Sequence, residues 1–107
     1  MSFNSVYILY VAKVERKGQS KADLDKVILW FTGFTKAELL KHLKAETTFE
    51  DFFAKAKVNQ NSELITGMIC GVKIQEIEDP LMKKIRMLDK LVDEVAKGRA
   101  MEKILRK

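Results

Sequence analysis

Hydrophobic residues recur along most of the chain at the three- and four-residue spacing of α-helices. The clearest example lies near the C-terminus, where a capping acid, Asp79, is followed by Pro80 at the first helical position. Gly98 then marks the end of the segment. The pattern predicts a helix over Pro80–Lys97. Its apolar stripe, at spacings of 4, 3, 4 and 3, comprises Leu81, Ile85, Leu88, Val92 and Val95.

Three further helices are predicted to begin at hydroxyl side chains that stand three residues before an acid, as in a capping box. The pairs are Ser20 with Asp23, Thr35 with Glu38, and Thr47 with Glu50. Gly33 ends the first of these helices. Apolar residues follow each start at helical spacing. They are Leu24, Val27, Ile28 and Phe31, then Leu39, Leu40 and Leu43, and finally Phe49, Phe52 and Phe53.

Two segments allow a strand as well as a helix. The apolar run Val6–Val11 could be a buried strand, but the residues after it favour a helix from about Ser5 to Lys17. The segment Leu64–Ile77 is predicted to be helical to about Cys70 and then irregular or briefly helical. Its interior glycines each cost about 1 kcal/mol in a helix. A short strand is therefore the alternative, at Met68–Cys70 or Val72–Ile74.

The sum of these elements is an all-α fold, a compact bundle of about five or six helices, with one very short strand near Val72 as the open alternative. No linker or repeat divides the 107 residues, so we expect a single helical domain over 1–107. Residues 99–107 form a basic C-terminal extension of the same domain, with apolar positions for two more helical turns. Such a short helix needs a surface to dock on.

Six of the nine aromatic residues lie within 24 positions, from Trp30 to Phe53. Helical spacing of the phenylalanines favours core packing between the second, third and fourth predicted helices. The alternative is an apolar pocket walled by these rings, with Trp30 at its rim.

The net charge of +5 resides entirely in the last quarter of the chain. Residues 83–107 hold nine basic and four acidic side chains, whereas residues 1–82 hold eleven of each. Weak nucleic-acid binding by this quarter is our alternative function. Nearby acids at helical spacing would neutralise part of the basic strip. The candidate phosphate contacts are Lys83, Arg86, Lys90, Lys103 and Arg106.

A helix-turn-helix is a further possibility at Lys21–Thr32 and Lys36–Ala45. Its second helix has nearly balanced charge and lacks arginine, asparagine and glutamine, the residues best suited to read base edges. Sequence-specific DNA recognition therefore ranks low.

Catalysis is not predicted, and we expect no cofactor and no metal. His42 is the only histidine, and we expect it at the edge of the core. Cys70 is the only cysteine, and its apolar neighbours indicate an inert core thiol. A reducing cytoplasm suits this cysteine content, and no apolar run approaches the length that crosses a membrane. An enzyme or small-molecule binder with an unrecognised pocket is the second alternative.

The apolar stripe of the last long helix has the spacing of a heptad repeat, and we call it the seam. It leads to the primary functional prediction. Such a seam packs either inside the monomer, over the phenylalanine cluster, or against the same helix of a second copy. The limited core of a short chain and the apolar terminal residues favour a non-enzymatic interaction protein that forms a homodimer. The candidate interaction residues are Leu88, Met101, Ile104 and Leu105.

Four stretches of sequence resemble a known family: Val27–Phe34, Leu64–Val72, Ile77–Met82 and Leu88–Leu105. The similarity extends over nearly the whole chain and is to an uncharacterised prokaryotic family, domain of unknown function 2200. The resemblance implies a stand-alone cytoplasmic bacterial protein of about this length. It implies no reaction, cofactor or partner, and no catalytic residues are carried over from it.

Overall fold

The structure is a computed structural model that describes residues 2–69 and 71–105. It is 69% helical and, over these residues, has six α-helices with one two-stranded antiparallel sheet. This architecture confirms the predicted all-α class and the expected number of helices. The helices are α1 (Phe3–Arg16), α2 (Lys21–Thr32), α3 (Lys36–Lys44), α4 (Phe49–Lys55), α5 (Pro80–Ala96) and α6 (Met101–Ile104).

Helix α5 is the central element of the fold. It contacts α1, α2, α4 and α6, and it also contacts the small sheet. Its buried face is wider than the predicted stripe, because Met87, Leu91 and Ala96 are buried beside Leu88 and Val92. The seam therefore packs inside the chain, where the other helices cover it.

Helix boundaries follow the predicted capping signals closely. Thr35 and Glu38 form the complete capping box at the start of α3, and the Asp79 side chain accepts hydrogen bonds from the first turn of α5. The prediction was wrong by one residue at α4. Thr48, rather than Thr47, caps that helix, because the Thr47 carbonyl accepts the Phe3 backbone N–H at 2.8 Å.

The predicted helix over Leu64 to about Cys70 is wrong, and the short strand near Val72 is correct. Strands β1 (Met68–Ile69) and β2 (Val72–Lys73) pair antiparallel as a hairpin. Two 3-10 helices, Gln60–Leu64 and Ile74–Glu76, flank it. Gly67 has φ +105° and Gly71 has φ +77°, and neither value occurs within an α-helix. Cys70 lies outside the described residues.

The aromatic rings pack against one another in the core, as the helical spacing of the phenylalanines predicted. Phe52 of α4 stacks on Phe3 of α1 with ring centroids 3.8 Å apart, and Phe53 meets Phe31 edge to face. Trp30 is half-buried and packs against the same core. The first helix thus joins the aromatic cluster through Phe3, a residue that the sequence had not placed there.

The C-terminal segment docks on the bundle through a short helix and through an ion pair between an exposed arginine and a buried carboxylate. Ile104 is fully buried at the end of α6, and Leu105 is buried beside it. Arg99 donates to the carboxylate of Glu94 at 2.9 Å, and Glu94 is itself buried. The described part of the extension therefore holds one helical turn, where two were predicted. Arg106 and Lys107 lie outside the described residues.

Candidate functional site

The four predicted interaction residues lie in or against the hydrophobic core. Leu88, Ile104 and Leu105 are buried within the chain, and Met101 is half-buried against them. Part of the Met101 side chain stays exposed, whereas the side chains of Leu88, Ile104 and Leu105 are covered by this chain's own helices. The reason is that α1, α2 and α6 all pack on α5, so the seam is buried by other helices of the same chain.

The predicted phosphate contacts are partly engaged in bonds within the chain. Arg86 pairs with Asp89 at 3.4 Å, and Lys90 donates to the Met68 carbonyl at 3.4 Å. Among the described residues, Lys83 and Lys103 form no ion pair. Arg106 lies outside the described residues. Lys97 and Arg99 are also paired, with Asp93 and Glu94, so much of the local positive charge is balanced.

An exposed apolar face lies on α1, outside the interaction residues predicted from the sequence. Ile8 and Leu9 are 58% and 66% exposed, although large aliphatic side chains usually lie inside a protein. Ser5 and Ala12 are exposed on the same side of the helix, one turn to either side. This α1 face (Ser5, Ile8, Leu9 and Ala12) carries no charged side chain. The run Val6–Val11 contained the signal, because it is too apolar for a helix with only one buried side.

A second feature is a cleft between α3 and α4 that contains the single histidine. The cleft has a volume of about 300 Å³, and Phe34 forms part of its wall. Lys41 and His42 enter it from α3, Lys55 enters from α4, and Thr47 enters from the loop between these helices. We call it the His42 cleft.

The His42 imidazole is held in place on three sides. Its Nδ1 lies 3.0 Å from the Thr47 hydroxyl, and its ring centroid lies 4.8 Å from that of Phe34 and 5.5 Å from that of Phe52. The described residues give Nε2 no hydrogen-bond partner. No buried side-chain nitrogen or oxygen in the described part of the chain lacks a partner, so Nε2 is accessible to solvent.

Positive charge surrounds this imidazole. Burial, followed by the charges of Lys55 and Lys41, holds the pKa of His42 below its ordinary value, while Glu38 acts in the opposite direction. The imidazole is therefore neutral at pH 7. Glu38 is already bound at the helix start, because its carboxylate accepts the Thr35 backbone N–H at 2.9 Å. That hydrogen bond lowers the pKa of Glu38.

Within residues 2–69 and 71–105, no group of three potential metal ligands comes together. No helix of this described part is long and apolar enough to span a bilayer. His42 occupies the half-buried position at the edge of the core that the sequence predicted. Its relation to Cys70 lies outside the described residues.

The comparisons with known proteins match the family resemblance seen in the sequence. The model of the family described as "Uncharacterized protein conserved in bacteria (DUF2200)" matches residues 1–106. The chain belongs to the DUF2200 family. The crystal structure of "uncharacterized protein SP1917" has 45% sequence identity to this DUF2200 chain and superposes with a TM-score of 0.92. The match covers 98% of this chain and 87% of the other. No curated protein matches the chain.

The solved structure supports the fold, and neither comparison assigns chemistry to this DUF2200 protein. Both the family and the protein of the solved structure are uncharacterised, so neither brings a reaction, a ligand or a partner to this chain. Two surface features of the chain itself therefore support the functional proposals, namely the α1 face and the His42 cleft. Sequence reasoning missed Thr47 and Lys55 as neighbours of His42, because they lie on the following loop and on α4 and meet α3 only in the folded chain.

Proposed function

We propose that this DUF2200 protein is a non-enzymatic interaction module that forms a homodimer through the α1 face. The observation that carries the proposal is the exposure of Ile8 and Leu9 at the middle of a 14-residue helix. Burying these two side chains against a second copy would remove apolar surface from water, which is the main driving force of association. This proposed interface does not include Leu88, Ile104 and Leu105, because they are buried within the chain.

Charge favours an antiparallel pairing of two α1 helices. The C-terminal end of α1 carries the exposed cations Arg16 and Lys17 beside the exposed Glu15, so this end has a net positive charge. At the opposite end, Phe3 is bound to Thr47, so the exposed Glu46 lies next to the start of α1. A two-fold axis near Ile8 and Leu9 would bring the cations of each copy towards the Glu46 of the other.

The interface would be small, because one short helix face contributes most of it. Specific interfaces bury about 1,200–2,000 Å² in total, and a single helix pair lies at the low end of that range. We therefore expect an association in the micromolar range, visible as a dimer at high concentration and as a monomer on dilution.

Light scattering coupled to size exclusion tests the homodimer. The wild type should approach twice the 12.3 kDa chain mass at a few hundred micromolar. Leu9→Glu should stay at the monomer mass at the same concentration, because a carboxylate at the two-fold axis would be buried beside its own copy. Circular dichroism should show that the variant remains helical, since Leu9 contributes no buried contact to the core.

Leu64→Glu is the matched control for this experiment. Leu64 is also a leucine on the surface, 56% exposed, but it lies in the first 3-10 helix and outside the α1 face. The control should dimerise as the wild type does. A wild type that is monomeric at every concentration would refute the homodimer, and a dimer that persists in Leu9→Glu would move its interface away from α1.

Weak binding of nucleic acid is the second candidate function. It is supported by the concentration of the entire net charge in residues 83–107 and by Lys83 and Lys103, whose ammonium groups form no ion pair within the described residues. The internal ion pairs of Arg86, Lys97 and Arg99 weaken the electrostatic attraction. Any binding should therefore be non-specific and be lost at physiological salt.

Salt dependence measured by fluorescence anisotropy with a labelled duplex tests this second function. Contact with about four phosphates gives a slope of log affinity against log salt near −3.6. Lys83→Gln and Lys103→Gln should each reduce the slope by about 1, whereas Lys36→Gln on α3 should leave it unchanged. Truncation is avoided because Ile104 is part of the core. Tight, salt-resistant and sequence-selective binding that depends on Lys36 would favour the helix-turn-helix instead.

A further inference from the structure

The His42 cleft has the composition of a site for a small anion. Two lysines from different helices, a threonine hydroxyl and a neutral imidazole face one space of about 300 Å³. This volume matches the lower end of known small-molecule sites. A neighbouring hollow of about 120 Å³ shares Phe34, Glu38 and Lys55 with the cleft and adds Lys57. Three lysines therefore line the cleft and the adjoining hollow, both of which include Phe34 in their walls.

We propose that the His42 cleft binds a phosphate group carried by a small molecule. Lys41 and Lys55 supply the opposing charge, and the solvent-accessible Nε2 of His42 supplies a directional hydrogen bond. Phosphate suits these groups because lysine binds it as a point charge and three oxygens can accept hydrogen bonds from different sides. Phe34 is almost fully buried and contributes only a small apolar edge to the wall of the cleft.

Positive charge exceeds negative charge among the described residues of the cleft and its neighbouring hollow. Within the described part of the chain, Lys41, Lys55 and Lys57 form no ion pair within 4 Å, although the pKa of Glu38 is lowered by the hydrogen bond that its carboxylate accepts from the Thr35 backbone N–H and also by the charge of Lys57. With His42 neutral, the cleft and its neighbouring hollow have a net charge of about +2, counting three lysines against Glu38. An anion is the ligand that this excess attracts, and Glu38 is the one group that opposes it.

His42 also provides the means of detection, because it is the only histidine in the chain. Its ring proton gives a single proton-NMR signal whose position reports both contact and protonation. An anion beside the imidazole stabilises the protonated form, so binding should raise the titration midpoint of His42. By linkage, the anion should bind more tightly as the pH falls through that midpoint.

The experiment follows the His42 signal of the full-length protein during titration with inorganic phosphate, with sodium chloride at matched ionic strength as the reference. We expect a saturable shift at millimolar phosphate and an upward displacement of the titration midpoint. Sulfate should give the same displacement, and it remains a dianion throughout the pH range used. Its response therefore separates protonation of His42 from protonation of the ligand.

Three variants localise the site. Lys41→Ala and Lys55→Ala should each weaken phosphate binding about tenfold, because each removes a charge-assisted contact. Glu38→Gln should strengthen it, an effect that a purely structural role for Glu38 does not produce. Lys103→Ala removes an exposed lysine elsewhere and should match the wild type.

Either of two results would overturn the proposal. The first is a His42 shift that rises linearly with phosphate and equals the shift in sodium chloride, which is the behaviour of general ionic screening. The second is a saturable shift that persists unchanged in both Lys41→Ala and Lys55→Ala. Both results are independent of the oligomeric state, because the cleft lies on α3 and α4 and the proposed dimer uses α1.

Discussion

Replacing Leu88 by alanine should lower the free energy of unfolding by about 2–5 kcal/mol. Leu88 is fully buried in α5, the helix on which α1, α2 and α6 pack, so the shortened side chain would leave a cavity at the centre of the fold. Small domains are stable by only about 5–15 kcal/mol, and this substitution would remove a large part of that margin. Urea unfolding followed by circular dichroism measures the change.

Leu40→Ala is the matched control, because Leu40 is a helical leucine that is 52% exposed. Its effect should stay within about 0.5 kcal/mol. Unfolding curves at two protein concentrations distinguish packing of the seam inside the chain from packing against a second copy. If Leu88 packed against a second copy, the loss of unfolding free energy in Leu88→Ala would depend on protein concentration. The substitution would also change the mass of the native particle. A concentration-independent loss is expected from the internal packing.

Helix starts could be predicted from the sequence because their causes are local. The capping box of Thr35 and Glu38 and the Asp79-Pro80 start each satisfy backbone N–H groups within a single turn. Local signals failed where two of them compete. Thr47 and Thr48 both stand three residues before an acid, and the contact of Thr47 with distant Phe3 decides between them.

Periodicity alone did not predict the hairpin or the partner of the seam. The residues around Gly67 and Gly71 are apolar at helical spacing, yet both glycines take positive φ and reverse the chain. Likewise, the stripe on α5 shows that one face is buried but not which surface buries it. Its partners are helices distant in sequence, and a second copy of the chain would leave the same pattern.

The candidate sites were still harder to foresee. An exposed Ile8 or Leu9 differs from a buried one only in what surrounds it, and the sequence suggested no free face on α1. The His42 cleft combines side chains from α3, α4 and the loop between them. Each of its lysines is an ordinary surface charge on its own helix, and only the fold places the ammonium groups around one imidazole.

Replacing Gly33 by alanine should cost about 2–5 kcal/mol, from two separate causes. Gly33 has φ +74°, a left-handed conformation that alanine adopts at a cost of about 1–2 kcal/mol. A Cβ atom there would also lie 2.7 Å from the Lys57 carbonyl oxygen. That oxygen belongs to backbone held in place by a 2.8 Å hydrogen bond from the Lys57 N–H to the Thr32 carbonyl. Urea unfolding again measures the loss.

Gly18→Ala is the matched control, because it carries only the first of the two causes. Gly18 has a closely similar φ of +80° after α1, but a Cβ atom there would meet nothing within 4 Å. It should therefore cost only the conformational penalty of about 1–2 kcal/mol. The difference between the two variants measures the close approach of the Lys57 backbone to the α2–α3 turn. Equal losses of unfolding free energy in the two variants would mean that the Lys57 backbone can move enough to admit a methyl group at Gly33. The α2–α3 turn beside the neighbouring hollow of the His42 cleft would then be loosely packed.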